Sequence, residues 1–276
     1  MNILILGNDG RAHALAWKLS VSRRIDTLYC IPGNGGTQAL CKNLFADSDA
    51  DILRIAAEKN VSLIVSAAGF STPTDGKLPS LPENDPADAN LSVCFFSDGK
   101  ICRFMPPVYR TKDGSSVYTG EYDAGLAEKA SEALQGREYQ SGIYRVLFHT
   151  SPEGIEAVGI AAGFGRFDAQ VLMPVLSGDL LPICFACLDG TLERVKTEYS
   201  GICAAAILNA PSEGVTVRGM GKLPRDVGAF YEHTVRTENG MTALGGTALD
   251  VMARAETTEK ALDYAKHSAS CIVFGK

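Results

Sequence analysis

The sequence predicts an α/β protein that opens as a parallel βαβαβ unit and closes in a β-rich segment. Asn2 to Leu6 is a short apolar run of Ile and Leu, the pattern of a strand buried on both faces. A glycine turn follows at once, and then a helical pattern with Ala14, Leu15 and Leu19 on one face. Beyond Gly69 the alternation of strand and helix gives way to short apolar runs paired around turn residues, the pattern of hairpins.

The opening strand, turn and helix form an anion site in principle. The helix begins with unpaired N–H groups where its dipole is positive, and the turn Gly7-Asn8-Asp9-Gly10 adds backbone donors. Arg11, in the first turn, adds a full charge and a bidentate fork. A phosphate is expected there; the alternative is that the glycines only make a tight turn. The spacing departs from Gly-x-Gly-x-x-Gly, and the second strand, Thr27 to Ile31, runs into Pro32-Gly33 without a ribose-binding acid, so NAD is not expected.

A second glycine-rich loop, with Gly33, Asn34, Gly36 and Thr37, follows that strand. Loops at the carboxyl ends of adjacent parallel strands share one crevice, which points both loops at one ligand. The alternative is a long connection with turn chemistry. Ala50 to Lys59 then reads as an amphipathic helix with Ile52, Ile55 and Ala56 on one face, and Val61 to Ala67 as a third parallel strand.

Gly69 to Asp88 carries four prolines and few apolar residues, as a linker or long surface loop does. Leu91 to Phe96 and Ile101 to Met105 read as a hairpin around Ser97-Asp98-Gly99-Lys100. Asp123 to Gln135 reads as a helix, and Ile143 to Phe148 with Ile155 to Ala161 as another strand pair. Gln170 to Leu188 is helical in places, bounded or kinked by Pro174 and Pro182. Ile202 to Leu208 begins the last β-rich segment, and Thr257-Thr258-Glu259 starts a closing helix with a capping hydroxyl and an early acid.

Composition narrows the function classes. The 276 residues, 46% hydrophobic and 21% charged, suit a soluble chain of two or three domains. A net charge of −6 gives no basic field for nucleic acid or anionic membrane, and neither is expected as a partner. No apolar run reaches membrane-spanning length and no basic leader precedes the first strand, so a cytoplasmic location is expected. The eight cysteines lie in apolar surroundings, which fits buried thiols in a reducing compartment. Cys184-Phe185-Ala186-Cys187 has redox or zinc spacing but no second ligand pair, and core packing is the reading adopted. No metal ligand set is expected.

These segments resemble the glycinamide ribonucleotide synthetase (phosphoribosylamine–glycine ligase) family of the ATP-grasp superfamily. Gly7-Asn8-Asp9-Gly10-Arg11-Ala12-His13-Ala14-Leu15-Ala16-Trp17 resembles the family's Gly-x-Gly-Gly-Arg-Glu-His-Ala-Leu-Ala-Trp. Pro32-Gly33-Asn34-Gly35-Gly36-Thr37 resembles its Pro-Gly-Asn-x-Gly-Thr. The likeness resumes at Tyr139-x-x-Gly142, Phe164-Gly165, Gln170 and Ser177-Gly178-Asp179-Leu180-Leu181 to Leu192. Near the end, Thr242-Ala243-Leu244-Gly245-Gly246 resembles a Thr-x-Gly-Gly-Arg loop in which Thr247 replaces the arginine.

The resemblance implies a truncated Rossmann-like (pre-ATP-grasp) N-terminal domain over 1–68, a Pro/Gly-rich linker over 69–90, a remnant of the ATP-grasp core lobe over 91–195 and a small β-rich C-terminal domain over 196–276. The family joins glycine to 5-phosphoribosylamine, in purine biosynthesis, through a glycyl phosphate made from ATP.

The departures fall on the ATP side. The family carries a much longer stretch, including its flexible lid, where this chain has only residues 68–90 between its third strand and Leu91. The family's metal-binding Glu-Phe-Asn-x-Arg-Phe-Gly-Asp-Pro-Glu aligns on Gly159 to Asp168, putting Gly159, Ala161 and Gly163 at the glutamate, asparagine and arginine. Magnesium takes hard oxygen ligands that glycine and alanine lack. ATP and Mg, expected for the family, are therefore not expected as cofactors here.

The expected function is binding of a small phosphorylated ribose or nucleotide through Gly7, Asn8, Asp9, Gly10, Arg11, Gly33, Asn34, Gly36, Thr37, Gly245 and Gly246, without ATP-dependent ligation by the chain alone. The alternative is an active amine ligase or a repurposed enzyme on a phosphoribosyl substrate, in a homo-oligomer or completed by a partner chain. His13 is then the candidate acid–base, or else a structural hydrogen-bonding residue. Arg166 and Asp168 are a candidate catalytic pair, or else a surface ion pair.

Overall fold

A computed structural model describes residues 1–84 and 89–275; the part of the expected linker at 85–88, and position 276, lie outside the described residues. The first elements are β1 (Asn2–Gly7), α1 (Gly10–Ser20), β2 (Thr27–Pro32), β3 (Lys42–Asn43), α2 (Asp49–Glu58), β4 (Val61–Ser66) and β5 (Gly69–Ser71). They form a five-stranded sheet in the order β3-β2-β1-β4-β5. β1 lies parallel to β2 and β4, with Leu4 opposite Tyr29 and Ile64.

Both faces of β1 are covered, which is why its sequence is apolar without alternation. Leu4 and Leu6 pack with Ile55 and Ala56 of α2, while Ile3 and Ile5 join Leu15 and Leu19 of α1 in the largest core. Asp9 caps α1 and Ser48 caps α2, each side chain accepting a backbone N–H three residues on.

Gly69–Ser71, expected to begin a linker, is instead β5, antiparallel to β4. Phe70 explains the difference, because its ring is buried against Phe96 and holds the segment to the body of the protein.

The chain continues through β6 (Leu91–Asp98), β7 (Cys102–Phe104), β8 (Val108–Arg110), β9 (Ser116–Thr119), α3 (Ala124–Ala133), β10 (Ser141–Ser151), β11 (Gly154–Ala162), α4 (Asp168–Val175) and α5 (Leu180–Asp189). The last elements are β12 (Ile202–Asn209), β13 (Glu213–Arg218), β14 (Val227–Tyr231), β15 (Thr234–Thr237), β16 (Gly240–Leu244), β17 (Thr247–Ala255), α6 (Thr258–Ala269) and β18 (Val273–Gly275).

A nine-stranded antiparallel sheet runs β11-β10-β6-β8-β9-β12-β17-β14, with β7 paired to β6. It crosses the boundary expected at 195/196, because β12 pairs with both β9 and β17. A four-stranded sheet, β15-β16-β13-β18, completes the described strands.

Helices α4 and α5 lie in the core that joins the first sheet to the second, with Leu172, Met173, Ile183 and Cys184 beside Ile3, Leu63 and Phe96. α3 covers Val93 and Phe95 on the opposite face of β6, and α6 covers Ala204, Val251 and Ala253. Cys184 and Cys187 are free, buried thiols within α5, and burial pushes the Cys187 thiol up to about 12. Among the described residues no helix is long and apolar enough to cross a membrane.

Candidate functional site

The α1 amino terminus sits at the carboxyl end of β1, where the strand order reverses between β2 and β4. The N–H groups of Gly10 and Ala12 and the Arg11 fork are already engaged. The Asp9 side chain accepts from Ala12 N at 3.2 Å. The other Asp9 oxygen receives the Arg11 fork, from Nε at 2.8 Å and Nη2 at 2.5 Å, while Arg11 Nη1 donates to the Phe164 carbonyl at 3.2 Å. The Gly10 N–H donates to the carboxylate of Glu232. A methyl on Gly10 would lie 2.3 Å from Glu232 Oε1, so the close approach of this carboxylate requires glycine.

The second loop is equally committed. Gly33 N donates to Gly7 O at 3.0 Å, Asn34 N to Thr37 Oγ1 at 2.8 Å and Gly35 N to Thr234 O at 2.9 Å. Asn34 Oδ1 accepts from Gly36 N and Thr37 N, both at 2.9 Å. The Asn34 amide nitrogen lies within hydrogen-bond reach of the carbonyls of Asn8, Asp9, Tyr231 and Glu232, at 2.7–3.3 Å. The side chain thus ties together the first turn, its own loop and the end of β14. All five N–H groups from Gly33 to Thr37 are spent inside the protein.

Behind Gly10, two acids that the sequence reading did not single out meet Gln170. Gln170 Nε2 lies 2.9 Å from Glu232 Oε1 and 3.2 Å from Asp250 Oδ2. Both carboxyls are buried, and burial pushes both acids upward, Asp250 well above the ordinary range; the negative charge of Glu232 adds to the effect on Asp250, and that of Asp9 to the effect on Glu232. Asp250 is therefore the neutral partner that donates to Glu232. An aspartate inside the apolar run Ala248 to Met252 was the only local signal of this pair.

His13 faces this region as an acceptor. Its Nδ1 takes the Tyr231 N–H at 2.9 Å, and the ring stacks on Tyr231 and meets Phe230 edge-on. Gly36 makes room for the ring, because a Cβ there would stand 2.4 Å from Nδ1. Burial lowers the His13 pKa to about 4, so the neutral ring is structural at neutral pH. The unfolded chain protonates this histidine near pH 6.5 and the native state only near 4. Its contribution is thus complete above about pH 6.5 and lost as pH falls toward 4, on the order of 3 kcal/mol. His13→Asn, which keeps an acceptor near Tyr231 N, is expected to flatten that part of the stability–pH curve relative to the unmodified chain. Parallel curves from urea titrations would refute it.

Arg166 and Asp168 do not form the surface ion pair considered above. Asp168 is buried and accepts from Ser92 Oγ at 3.1 Å, Cys94 Sγ at 3.3 Å and Gly165 N at 2.8 Å. It holds the start of α4 against β6. Arg166 is exposed, with its guanidinium over the Phe167 ring and Nη2 on Thr247 Oγ1 at 3.0 Å. Gly245 and Gly246 form the turn from β16 to β17, and neither lines the cavity described next.

That cavity, about 320 Å³, is lined by Asn8, Asp9 and Arg11 of the first turn, by Arg166, and by Glu83, Asn84, Glu232 and His233, which sequence reasoning missed. Cations and carboxylates both face it. A larger open cleft of about 890 Å³ lies between the β6–β7 turn and the end of α3 and shares no residue with it.

Comparisons with known proteins bear on this geometry. A family model described as phosphoribosylglycinamide synthetase, N domain, matches residues 1–69. The phosphoribosylamine–glycine ligase of Brucella melitensis is 40% identical, across 95% of this chain and 92% of that protein. Its alignment runs over 394 positions, more than the chain's 276 residues, so the relative carries segments that this chain lacks. The ligases of Clostridium acetobutylicum and Pseudomonas syringae are 28% and 32% identical over 60% and 62% of the chain. The matched stretches span just over a third of those two proteins, 36% and 37%. Among solved structures, phosphoribosylamine–glycine ligase from Thermotoga maritima superposes with a TM-score of 0.72 at 14% identity, over 99% of this chain and 97% of that one. The biotin carboxylase domain of a single-chain bacterial carboxylase gives 0.67 at 11% identity, over 99% and 89%. These two likenesses concern the fold.

Proposed function

Because the chain belongs to the phosphoribosylamine–glycine ligase family, we propose that it binds a phosphorylated ribosylamine or a related ribonucleotide and does not carry out ATP-dependent ligation by itself. The observation that carries the first half is Arg166. Arg11 is neutralised by Asp9, whereas Arg166 donates to Thr247, makes no salt bridge among the described residues and lines the cavity. His233 stands beside it, and Asp9, Glu83 and Glu232 supply the opposite sign. A ligand with a phosphate at one end and an amine at the other matches that mixed lining.

The second half rests on β11. Gly159 and Ala161, at the positions that resemble the family's metal ligands, offer no side-chain oxygen. Among the described residues no group of three or more His, Cys, Asp or Glu is placed to hold a metal ion. These residues do not fit magnesium, which takes several hard oxygen donors.

Ribose 5-phosphate at ten times its dissociation constant is expected to stabilise the protein by about 1.4 kcal/mol in thermal unfolding. Arg166→Ala is expected to weaken that binding about tenfold or more, the loss of a charged hydrogen bond. Mg-ATP is expected to give no heat in calorimetry. A full ribose 5-phosphate effect in Arg166→Ala overturns the binding reading, and micromolar Mg-ATP uptake overturns the other half in favour of a ligase.

A further inference from the structure

The amino terminus of α1, at the carboxyl end of β1, is a place where backbone donors and the helix dipole favour an anion, yet a side chain of the protein itself occupies it. Glu232 is only 1% exposed, and a carboxylate tolerates such burial only when its charge is answered. The answers are the Gly10 N–H, the Gln170 amide at 2.9 Å, the positive end of the helix dipole and the charge of Arg166. Asp250 answers from the other side as a neutral acid. Its Oδ1 makes no hydrogen bond, so the contact with Glu232 falls to the other oxygen. The fit is steric as well, since the space above Gly10 that a phosphate oxygen would need is filled by Oε1.

We infer that Glu232 is a built-in anion for the α1 amino terminus, which excludes phosphate from that end; under the ribosylamine reading, Arg166 then receives the ligand's phosphate. The glycine turn then faces the neutral or cationic part of a ligand. The inference deepens the ribosylamine reading and rests on it only for the identity of the ligand. The exclusion itself concerns any phosphate.

Inorganic phosphate is therefore the probe, titrated by calorimetry into the unmodified chain, Arg166→Ala, Glu232→Ala and the double variant. Glu232→Ala vacates the helix end and is expected to bind phosphate at least tenfold more tightly than the unmodified chain. The double variant is expected to keep that gain over Arg166→Ala, because the new site is backbone and dipole. A double variant no better than Arg166→Ala overturns the inference and leaves the ribosylamine reading intact. A ribose 5-phosphate effect that ignores Arg166 overturns that reading and leaves the assignment of Glu232 intact. Should Glu232→Ala fail to fold, the Gly10 amide proton decides. It is expected to resonate downfield in the unmodified chain and to move upfield in Glu232→Gln, where a neutral amide oxygen replaces the carboxylate; no movement overturns the inference.

Discussion

Arg145→Leu is expected to lower stability by about 3 kcal/mol or more. Arg145 is fully buried. Its Nη1 donates to the carbonyls of Ala162 and Gly163 at 2.8 and 2.6 Å, and Nη2 to the Glu83 carbonyl at 2.6 Å. Leucine fills part of the volume and leaves three carbonyl oxygens, that of Gly163 buried and the other two partly so, without these donors. Hydrogen bonds from a charged group are worth about 1.5–3 kcal/mol each, and the released desolvation of the guanidinium offsets part of that sum. For a protein of this size the melting temperature is expected to fall by about 6–12 °C. A fall under about 3 °C would show that the guanidinium is dispensable. Binding should suffer too, because the same hydrogen bond positions Glu83, whose neighbour Asn84 also lines the cavity. Arg145→Lys keeps the charge but not the planar fork, and an intermediate loss is expected.

Asn34→Ala is expected to cost about 3 kcal/mol, mostly as unpaired buried donors. Gly36 N and Thr37 N both lose Asn34 Oδ1. The carbonyls of Asn8 and Tyr231, separated by most of the chain, lose the amide that joins them. Asn34→Asp is expected to be worse, because a carboxylate would face a ring of carbonyl oxygens with no hydrogen to offer. Native-state hydrogen exchange gives the direct readout. In Asn34→Ala the amides of Gly36 and Thr37 should exchange on the order of a hundredfold faster, the equivalent of that loss. Unchanged protection there would mean that the loop holds itself without the side chain.

The two cases show where the sequence was readable. Asn34 was singled out from its loop, but as a ligand contact; its partners at Tyr231 and Glu232 could not be seen from the loop. Arg145 sits in a strand between Tyr144 and Val146, where nothing local announces a buried guanidinium. The hairpin at Asp98 was fully local, and its turn is closed as the residues require, with Asp98 accepting from Lys100 N and Ile101 N at 2.9 Å. The β8–β9 hairpin went unread because its short strands, Val108–Arg110 and Ser116–Thr119, are strands only by virtue of the neighbours they pair with.

By itself the sequence determined the parallel opening, the capped start of the closing helix, the hairpin turn at Asp98 and the family of the chain. Those depend on hydrophobic period, turn chemistry and ordered motifs, all written within a few residues of one another. Only the tertiary structure decided what the glycine-rich loops do with their donors. Each N–H can be spent once, and whether a phosphate or the protein receives it depends on side chains such as Asn34 and Glu232. Folding brings Glu232 back to Gly10 from the far end of the chain, and no spacing rule encodes that return.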